Sequence, residues 1–344
     1  MASAPEASRS NVLACQFHRW YPEHRRWTIR SRVLDLSPEF VEYLNADGFV
    51  LPTAAMDRCA NDSDSSSWSE SDDDGNAPGR GVMQEPGVDL PEIELIRSEI
   101  EKLGGAVIPK LNWSSPRDAT WIACDGTMKC VTPADVLLLL KASDFIQHDL
   151  TQPFEACVDA ADDARPVEYK LVLRQWAHLV QSREFRCFIR DRRIVAISQR
   201  DRLNYYAHLN QDGARECLRR AIDDFYRRRI RDTFPEENYV MDVYVDGDDV
   251  VFLIDFNPFS VVTDALLFTW PELMRLGSSS SHCEFRIVEQ QPALGPSETM
   301  SYGFPQDILQ MNSAEAIERF ATDYRNGAFR EEHSDDDDSI SQDP

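Results

Sequence analysis

The stretch YVMDVYVDGDDVVFLIDFNPF, residues 239–259, decides the fold that the sequence predicts. Two arms rich in valine flank the turn letters DGDD at 246–249, which is typical of a β-hairpin. Asp242 and Asp255 interrupt the apolar arms, and Asn257 follows two residues after Asp255. Because side chains alternate faces along a strand, Asp255 and Asn257 share a face, and the opposing arm can bring Asp242 beside them.

The oxygen-bearing side chains Asp242, Asp255 and Asn257 form a candidate metal site. Carboxylate and amide oxygens suit a hard cation such as magnesium, which is normally shared with substrate phosphates because it dehydrates reluctantly. Alternatively, the carboxylates lie at strand ends in solvent and Asn257 begins a turn with Pro258. Spacing alone leaves both interpretations open.

Composition limits the classes of function. The chain has 344 residues and a formal net charge of −24, so a nucleic-acid-binding surface is not expected and a basic protein partner fits better. No run of 18 apolar residues and no targeting pattern is visible, so we expect cytosol or nucleus, with the cytoplasm preferred, and no membrane binding. We also expect a monomer. The eight cysteines are dispersed, which favours free thiols.

Changes in composition divide the chain into five predicted segments. Residues 56–90 are rich in Ser, Asp and Gly, and residues 331–344 are acidic, so we predict a disordered insertion and a disordered tail. Residues 1–55 and 91–165 would form a first lobe, and residues 166–330 a second lobe that contains the hairpin. Helices are predicted near 39–44, 93–103, 132–141, 216–233, 271–276 and 313–325, and strands near 33–36, 106–110, 167–176, 185–189, 194–198 and 283–288.

Basic residues beside the predicted strands form a candidate phosphate site. Lys110 ends an apolar strand and Arg117 follows in a loop of small residues, where lysine can bind phosphate as a point charge and arginine bidentately. Arg186 lies on the opposite face of its strand from Phe185 and Cys187, which indicates either a site or a sheet face open to water. The many arginines of helix 216–233 are instead predicted to form a solvated face neutralised by carboxylates of the chain.

The order of the elements predicts an α+β fold in which two lobes with antiparallel sheets clamp a nucleotide. Lys110 and Arg117 would hold phosphates, the exit of the strand at 167–174 would flank the base, and the hairpin would carry magnesium.

Six motifs resemble the cell division cycle protein 123 family. They are CQFHRWYP at 15–22, VIPKLNWSSPRDATWIA at 107–123, SDFIQHDLTQPF at 143–154, YKLVLRQW at 169–176, EFRCFIRDRRIVAISQRD at 184–201 and FLIDFNPFSVVTDALLFTW at 252–270. The resemblance implies an ATP-grasp fold that binds ATP and magnesium. It also implies a chaperone that binds the gamma subunit of eukaryotic translation initiation factor 2 and promotes assembly of the heterotrimer, in support of translation initiation and cell-cycle progression.

The resemblance also assigns site residues by motif position. Those that would line the nucleotide are Lys110, Trp113, Ser115, Arg117, Tyr169, Leu171, Val172, Arg174, Glu184 and Arg186. Those that would hold magnesium are Asp242, Asp255 and Asn257.

A second hypothesis is an ATP-grasp ligase that joins a carboxylate to an amine through an acyl phosphate. Such an enzyme would need a cation for the acyl phosphate, and Arg186 or Arg200 could serve. ATP-grasp enzymes commonly have glutamate in the second metal position, whereas this chain has the shorter Asp255. No catalytic residue is therefore predicted, and whether ATP is hydrolysed stays open.

Overall fold

A computed structural model describes residues 5–48, 51–55, 90–123, 125–160, 167–279 and 283–290 of the protein. All of them belong to one compact unit, Met1–Gly295. The predicted insertion at 56–90, apart from its last residue, the predicted helix at 313–325 and the predicted tail at 331–344 lie outside the described residues. The division into two lobes stays a prediction.

The described part contains eight α-helices and eight strands. The helices are α1 Arg9–Ala14, α2 Phe17–His24, α3 Pro38–Asn45, α4 Glu92–Lys102, α5 Pro133–Lys141, α6 Asp144–Thr151, α7 Ala214–Arg229 and α8 Trp270–Ser279. The strands are β1 Ser31–Asp35, β2 Val107–Lys110, β3 Lys170–Gln175, β4 Glu184–Arg190, β5 Arg193–Gln199, β6 Tyr239–Val245, β7 Val251–Pro258 and β8 Glu284–Arg286. Short 3-10 turns lie at Thr53–Ala55, Arg117–Ile122 and Gln181–Arg183.

The smaller sheet has three antiparallel strands in the order β1-β3-β2. Side chains of the central strand β3 alternate between two hydrophobic cores: Leu171 and Leu173 pack with the apolar faces of α3 to α6, whereas Val172 packs in the other core. Lys110, at the end of β2, is the cross-strand partner of Val172. The alternation therefore puts Lys110 on the face that does not contact α3 to α6.

The larger sheet has the order β7-β6-β4-β5-β8, and only the β5–β8 pair is parallel among these described strands. One of its faces packs against α7 through Leu218, Ile222 and Tyr226, and the other packs against α8 through Leu273. The predicted hairpin is present as β6 and β7. Its turn is closed by the Asp246 carboxylate, which accepts hydrogen bonds from the amides of Asp248 and Val250 at 2.9 Å each.

These observations confirm an α+β fold built largely on antiparallel sheets.

The helices α1, α2 and α6 are missing from the sequence prediction. Helix α1 has only six residues. Helix α2 contains Pro22 and has no side-chain cap at its start, so it lacks the usual sequence signals of a helix. The third begins at a Ser143 cap, a signal that the sequence does carry.

Two properties bear on function. The six described cysteines are free, as predicted. In the ranges that the structure describes, no helix is long and apolar enough to cross a membrane.

Candidate functional site

A row of polar side chains crosses the larger sheet. Asp255 in β7 is the cross-strand partner of Asp242 in β6, Asp242 is the partner of Arg186 in β4, and Arg186 is the partner of Ser198 in β5. The register between β6 and β7 shifts directly after Asp242, so Ile254 is the extra residue of a bulge. The predicted juxtaposition of Asp242 and Asp255 is confirmed, and the bulge lies beside it.

Lys110 reaches this row from the smaller sheet. Its side chain is almost fully buried, and the Nζ lies 2.6 Å from Asp255 Oδ2. The same Nζ also donates to the backbone carbonyl of Trp113. Because β7 is the edge strand of the larger sheet, this contact joins the two sheets at that edge. The structure therefore brings the predicted phosphate lysine onto the predicted metal hairpin.

Asp242 lies at the base of the cluster, where 1 % of its surface is exposed. Both of its oxygens accept hydrogen bonds from Arg186, from Nε and from Nη2, at 2.8 Å each. Arg200 is held more loosely, with its Nε 3.4 Å from Asp242 and its Nη1 3.9 Å from Glu184. Burial acts to raise the pKa of Asp242, but the charges of Arg186 and Arg200 outweigh burial and lower it below its usual value.

Two further arginines border the cluster. Arg174 in β3 is buried and makes a long hydrogen bond of 3.4 Å to Thr28, and within the described residues its Nε has no partner. Burial lowers the pKa of Arg174, while the charges of Asp255 and Glu184 oppose that shift. Arg117 is exposed, and the positive charge of Arg200 is the main cause that lowers its pKa to about 10. Both guanidinium groups would gain from a nearby anion.

The loop after β2 is held by several contacts. The Trp113 indole nitrogen donates to the Val12 carbonyl at 2.8 Å, and the ring packs edge-on against Phe154. The Ser115 carbonyl accepts from the Arg117 amide at 2.8 Å. Trp113 and Ser115 thus both belong to the loop between Lys110 and Arg117. Within the described residues, the Trp113 side chain packs against protein, and its carbonyl contacts Lys110.

Three predicted nucleotide residues lie on or directly before β3, and their assignment to the nucleotide site stays a prediction. Leu171 and Val172 are fully buried in the two cores, so their side chains are not available to a nucleotide. Alternation along a central strand, which buries both faces, is the physical reason. Tyr169 is half-buried, and its hydroxyl donates to the Leu150 carbonyl at 2.7 Å, on the wall of a groove of about 780 Å³ beside α3. Tyr169 lines that groove rather than contacting the row of charges.

The sequence analysis misses Asp149, and it names Arg200 only for the ligase alternative. Asp149 is buried in α6, and its carboxylate accepts hydrogen bonds from the Ser114 amide and hydroxyl at 2.8 and 2.9 Å. A lone aspartate in an amphipathic helix carries no sequence signal for this contact, which spans 35 residues of the chain.

The oxygen donors of Asp242, Asp255 and Asn257 fit a magnesium ion that arrives with phosphate. Asp255 and Asn257 are half-buried at the sheet edge. Asp255 Oδ2 and Asp242 Oδ1 each accept one hydrogen bond and keep a second acceptor position, whereas Asp242 Oδ2 accepts from both Arg186 and Arg200. Among the described residues, no group of three or more His, Cys, Asp or Glu could hold a metal. A third donor must therefore come from Asn257 or from a ligand.

The cluster as a whole is cationic in an acidic chain. Five cationic side chains meet three carboxylates, the cations being Lys110, Arg117, Arg174, Arg186 and Arg200 and the carboxylates Glu184, Asp242 and Asp255. A bare divalent cation would be repelled by this excess of positive charge. A polyphosphate, alone or with a metal ion, would neutralise it.

Comparisons with known proteins identify the family of the chain. A family model described as D123 matches residues 20–312. The chain belongs to the D123 family. A relative from Xenopus laevis named "Translation initiation factor eIF2 assembly protein" is 37% identical over 96% of this chain and 99% of its own length. A relative of the same name from Xenopus tropicalis is 39% identical over 89% of this chain and 93% of its own.

A solved structure supports the same family assignment. The structure of Cdc123 from Schizosaccharomyces pombe is 35% identical, with a TM-score of 0.67 over 83% of this chain and all of that chain. A relative from Aspergillus terreus is named "Cell division cycle protein 123" and is 42% identical over 79% of this chain. The resemblance to the cell division cycle protein 123 family is therefore confirmed.

Proposed function

We propose that this protein is an assembly factor for eIF2 that binds ATP with magnesium and binds the gamma subunit of its client. The excess of buried and half-buried cations at the edge of the larger sheet is the observation that carries the nucleotide part. The client part is supported by the name of the relatives, eIF2 assembly protein. We place the protein in the cytoplasm as a monomer.

In this proposal Lys110, Arg117 and Arg174 hold the phosphates, and Asp255 and Asn257 with Asp242 hold magnesium. When bound, magnesium would neutralise part of the phosphate charge. The buried Asp242 keeps Arg186 in place through two hydrogen bonds of 2.8 Å. Arg186 also donates to the Asp264 carbonyl at 2.8 Å, so its orientation is fixed before any ligand binds.

The ion pair between Lys110 and Asp255 makes phosphate and metal binding depend on each other. The two side chains neutralise each other at 2.6 Å. Lys110 can exchange its carboxylate for a phosphate at low cost only if Asp255 gains another cation at the same time. We therefore expect ATP with magnesium to bind more tightly than ATP alone, and magnesium alone to bind weakly.

Calorimetric titration of Asp255→Asn tests the metal assignment. We expect its affinity for ATP with magnesium to fall at least about tenfold. With a chelator in place of magnesium, its affinity for ATP should equal or exceed that of the wild type, because a negative charge near the phosphates has been removed. Asp248→Asn, in the exposed turn of the same hairpin, is the matched control and should behave as wild type. An equal loss with and without magnesium would contradict the assignment.

The client and the reaction need separate measurements. Size-exclusion chromatography with the isolated gamma subunit should show a complex that weakens as salt rises, because the chain carries a net charge of −24. No complex at low salt would contradict the client assignment.

A phosphate-release assay on the same protein should show no sustained turnover, whereas steady release would favour the ligase or an ATPase.

A further inference from the structure

One peptide group of the loop after β2 has a charged partner at each end. Lys110 donates to the carbonyl of Trp113, and the next amide along the chain, that of Ser114, donates to Asp149 at 2.8 Å. That carbonyl and that amide belong to the same peptide bond. Because a peptide bond is planar and its N–H and C=O point in opposite directions, fixing one end fixes the direction of the other.

The buried carboxylate of Asp149 binds Ser114. Its carboxylate is 4 % exposed, and its second oxygen accepts from the Ser114 hydroxyl at 2.9 Å. Burial raises the pKa of Asp149, and its hydrogen bonds with Ser114 oppose that shift. Among the described residues, this buried carboxylate has its hydrogen bonds with the Ser114 amide and hydroxyl, so it stabilises one orientation of that backbone.

Further hydrogen bonds restrict the conformation of the loop after β2. The Leu111 amide donates to the Ser114 carbonyl at 2.9 Å and closes the loop. Asn112 is fully buried, accepts from the Lys170 amide at 2.7 Å and donates to the Glu168 carbonyl at 2.9 Å. These bonds fix the ends of the loop, while Asp149 fixes the orientation of its central peptide group.

We propose that Asp149 is a positioning residue for nucleotide binding, which aims the Lys110 ammonium group through the Trp113–Ser114 peptide group. This inference rests on the proposed nucleotide site. Without Asp149 the peptide can rotate, the Trp113 carbonyl leaves Lys110, and the ammonium group keeps only Asp255 as partner. Lys110 is then drawn towards the carboxylate and away from the position in which it binds phosphate.

The chain supplies a matched control in Glu92. Glu92 is also a buried carboxylate that accepts from a serine amide, that of Ser37, at 2.9 Å. It lies in α4 and, among the described residues, makes no hydrogen bond to the Lys110 loop or to α6. Glu92→Ala and Asp149→Ala should therefore both cost stability, while only Asp149→Ala changes the loop.

The experiment is a calorimetric titration of the full chain with ATP and magnesium. Asp149→Ala should weaken binding by about ten- to a hundredfold, the effect usually seen when an outer partner of a binding group is removed, and Glu92→Ala by less than about twofold. Ser114→Ala should stay within about threefold of the wild type, because its amide still bonds to Asp149. Equal losses in Asp149→Ala and Glu92→Ala, or a folded Asp149→Ala with wild-type affinity, would overturn the inference.

Amide hydrogen exchange supplies a readout that a general loss of stability does not produce. In Asp149→Ala the Ser114 amide should exchange faster than in the wild type, whereas Glu92→Ala should affect the Ser37 amide. If Asp149→Ala does not fold, Asp149→Asn replaces it, with the same direction expected and wild-type affinity and exchange as the contrary result. A wild-type chain that binds no ATP would instead refute the proposed function, and this inference with it.

Discussion

Two groups of arginines in this molecule have opposite environments. In α7 each of four arginines, three exposed and Arg219 half-buried, has a carboxylate on the same helix: Arg219 and Arg220 pair with Glu216, Arg227 with Asp223 and Arg228 with Asp224. At the edge of the larger sheet, Arg117, Arg174, Arg186 and Arg200 share fewer carboxylates and are mostly withdrawn from water.

The difference shows that the number of arginines does not mark a site. The helix is richer in arginine along the sequence, yet its charges are neutralised within one turn and solvated, as the sequence analysis predicts. The sheet-edge cluster brings together residues from β3, β4, the loop after β2 and the segment after β5. Its excess positive charge is buried in part, so an anion would bind there far more strongly than on the helix.

The largest expected effect is on stability, from Asp242→Ala. This change leaves Arg186 buried without its bidentate partner, and we expect the free energy of unfolding to fall by about 3–5 kcal/mol. Urea unfolding measures it. Asp224→Ala in α7 removes the partner of an exposed arginine and should cost less than about 0.5 kcal/mol. Similar losses in the two variants would remove the contrast between the two groups.

The second effect is on the pH dependence of stability. Because the pKa of Asp242 is lower in the folded state, its contribution is present above the pKa of the unfolded chain, about 4, and is lost as pH falls further. The stability difference between the wild type and Asp242→Asn should therefore narrow below about pH 4. Urea midpoints measured between pH 7 and pH 3 check this. A constant difference would mean that the Asp242 charge is not stabilised by its arginines.

The smallest effect is expected from Arg228→Ala in α7. Its ion pair with Asp224 spans 3.5 Å on an exposed surface, so the free energy of unfolding should change by less than about 0.5 kcal/mol. High salt should remove even this difference between variant and wild type, because ions screen exposed pairs. Chemical denaturation at two salt concentrations is sufficient. A decrease in the free energy of unfolding several times that size would show that the helix charges contribute as much stability as the buried ones.

The sequence predicts the local part of this arrangement well. The hairpin of β6 and β7, its turn and the shared face of Asp255 and Asn257 follow from alternation and turn residues. The opposite face of Arg186 in β4 follows from the same rule and is confirmed by its pairing with Asp242. Local patterns of this kind depend on neighbours a few residues away.

The long-range part could not be predicted from these patterns. Lys110 and Asp255 are 145 residues apart, and only the packing of the two sheets brings them together. Asp149 acts on a loop that comes before it in the chain, through a peptide group that any sequence would supply. Motif position assigns Leu171 and Val172 to the site, whereas their side chains pack into the two cores on either side of β3.

The central claim is that the sheet-edge cluster, and not the arginine-rich helix, binds the polyphosphate. Calorimetric titration with ATP and magnesium tests it most directly on the wild type, Arg117→Ala and Arg228→Ala. Arg117 is exposed, so its replacement should not unfold the protein. We predict saturable binding by the wild type and by Arg228→Ala, and affinity at least about tenfold weaker in Arg117→Ala. Absence of binding by the wild type, or equal affinity in all three proteins, would contradict the account.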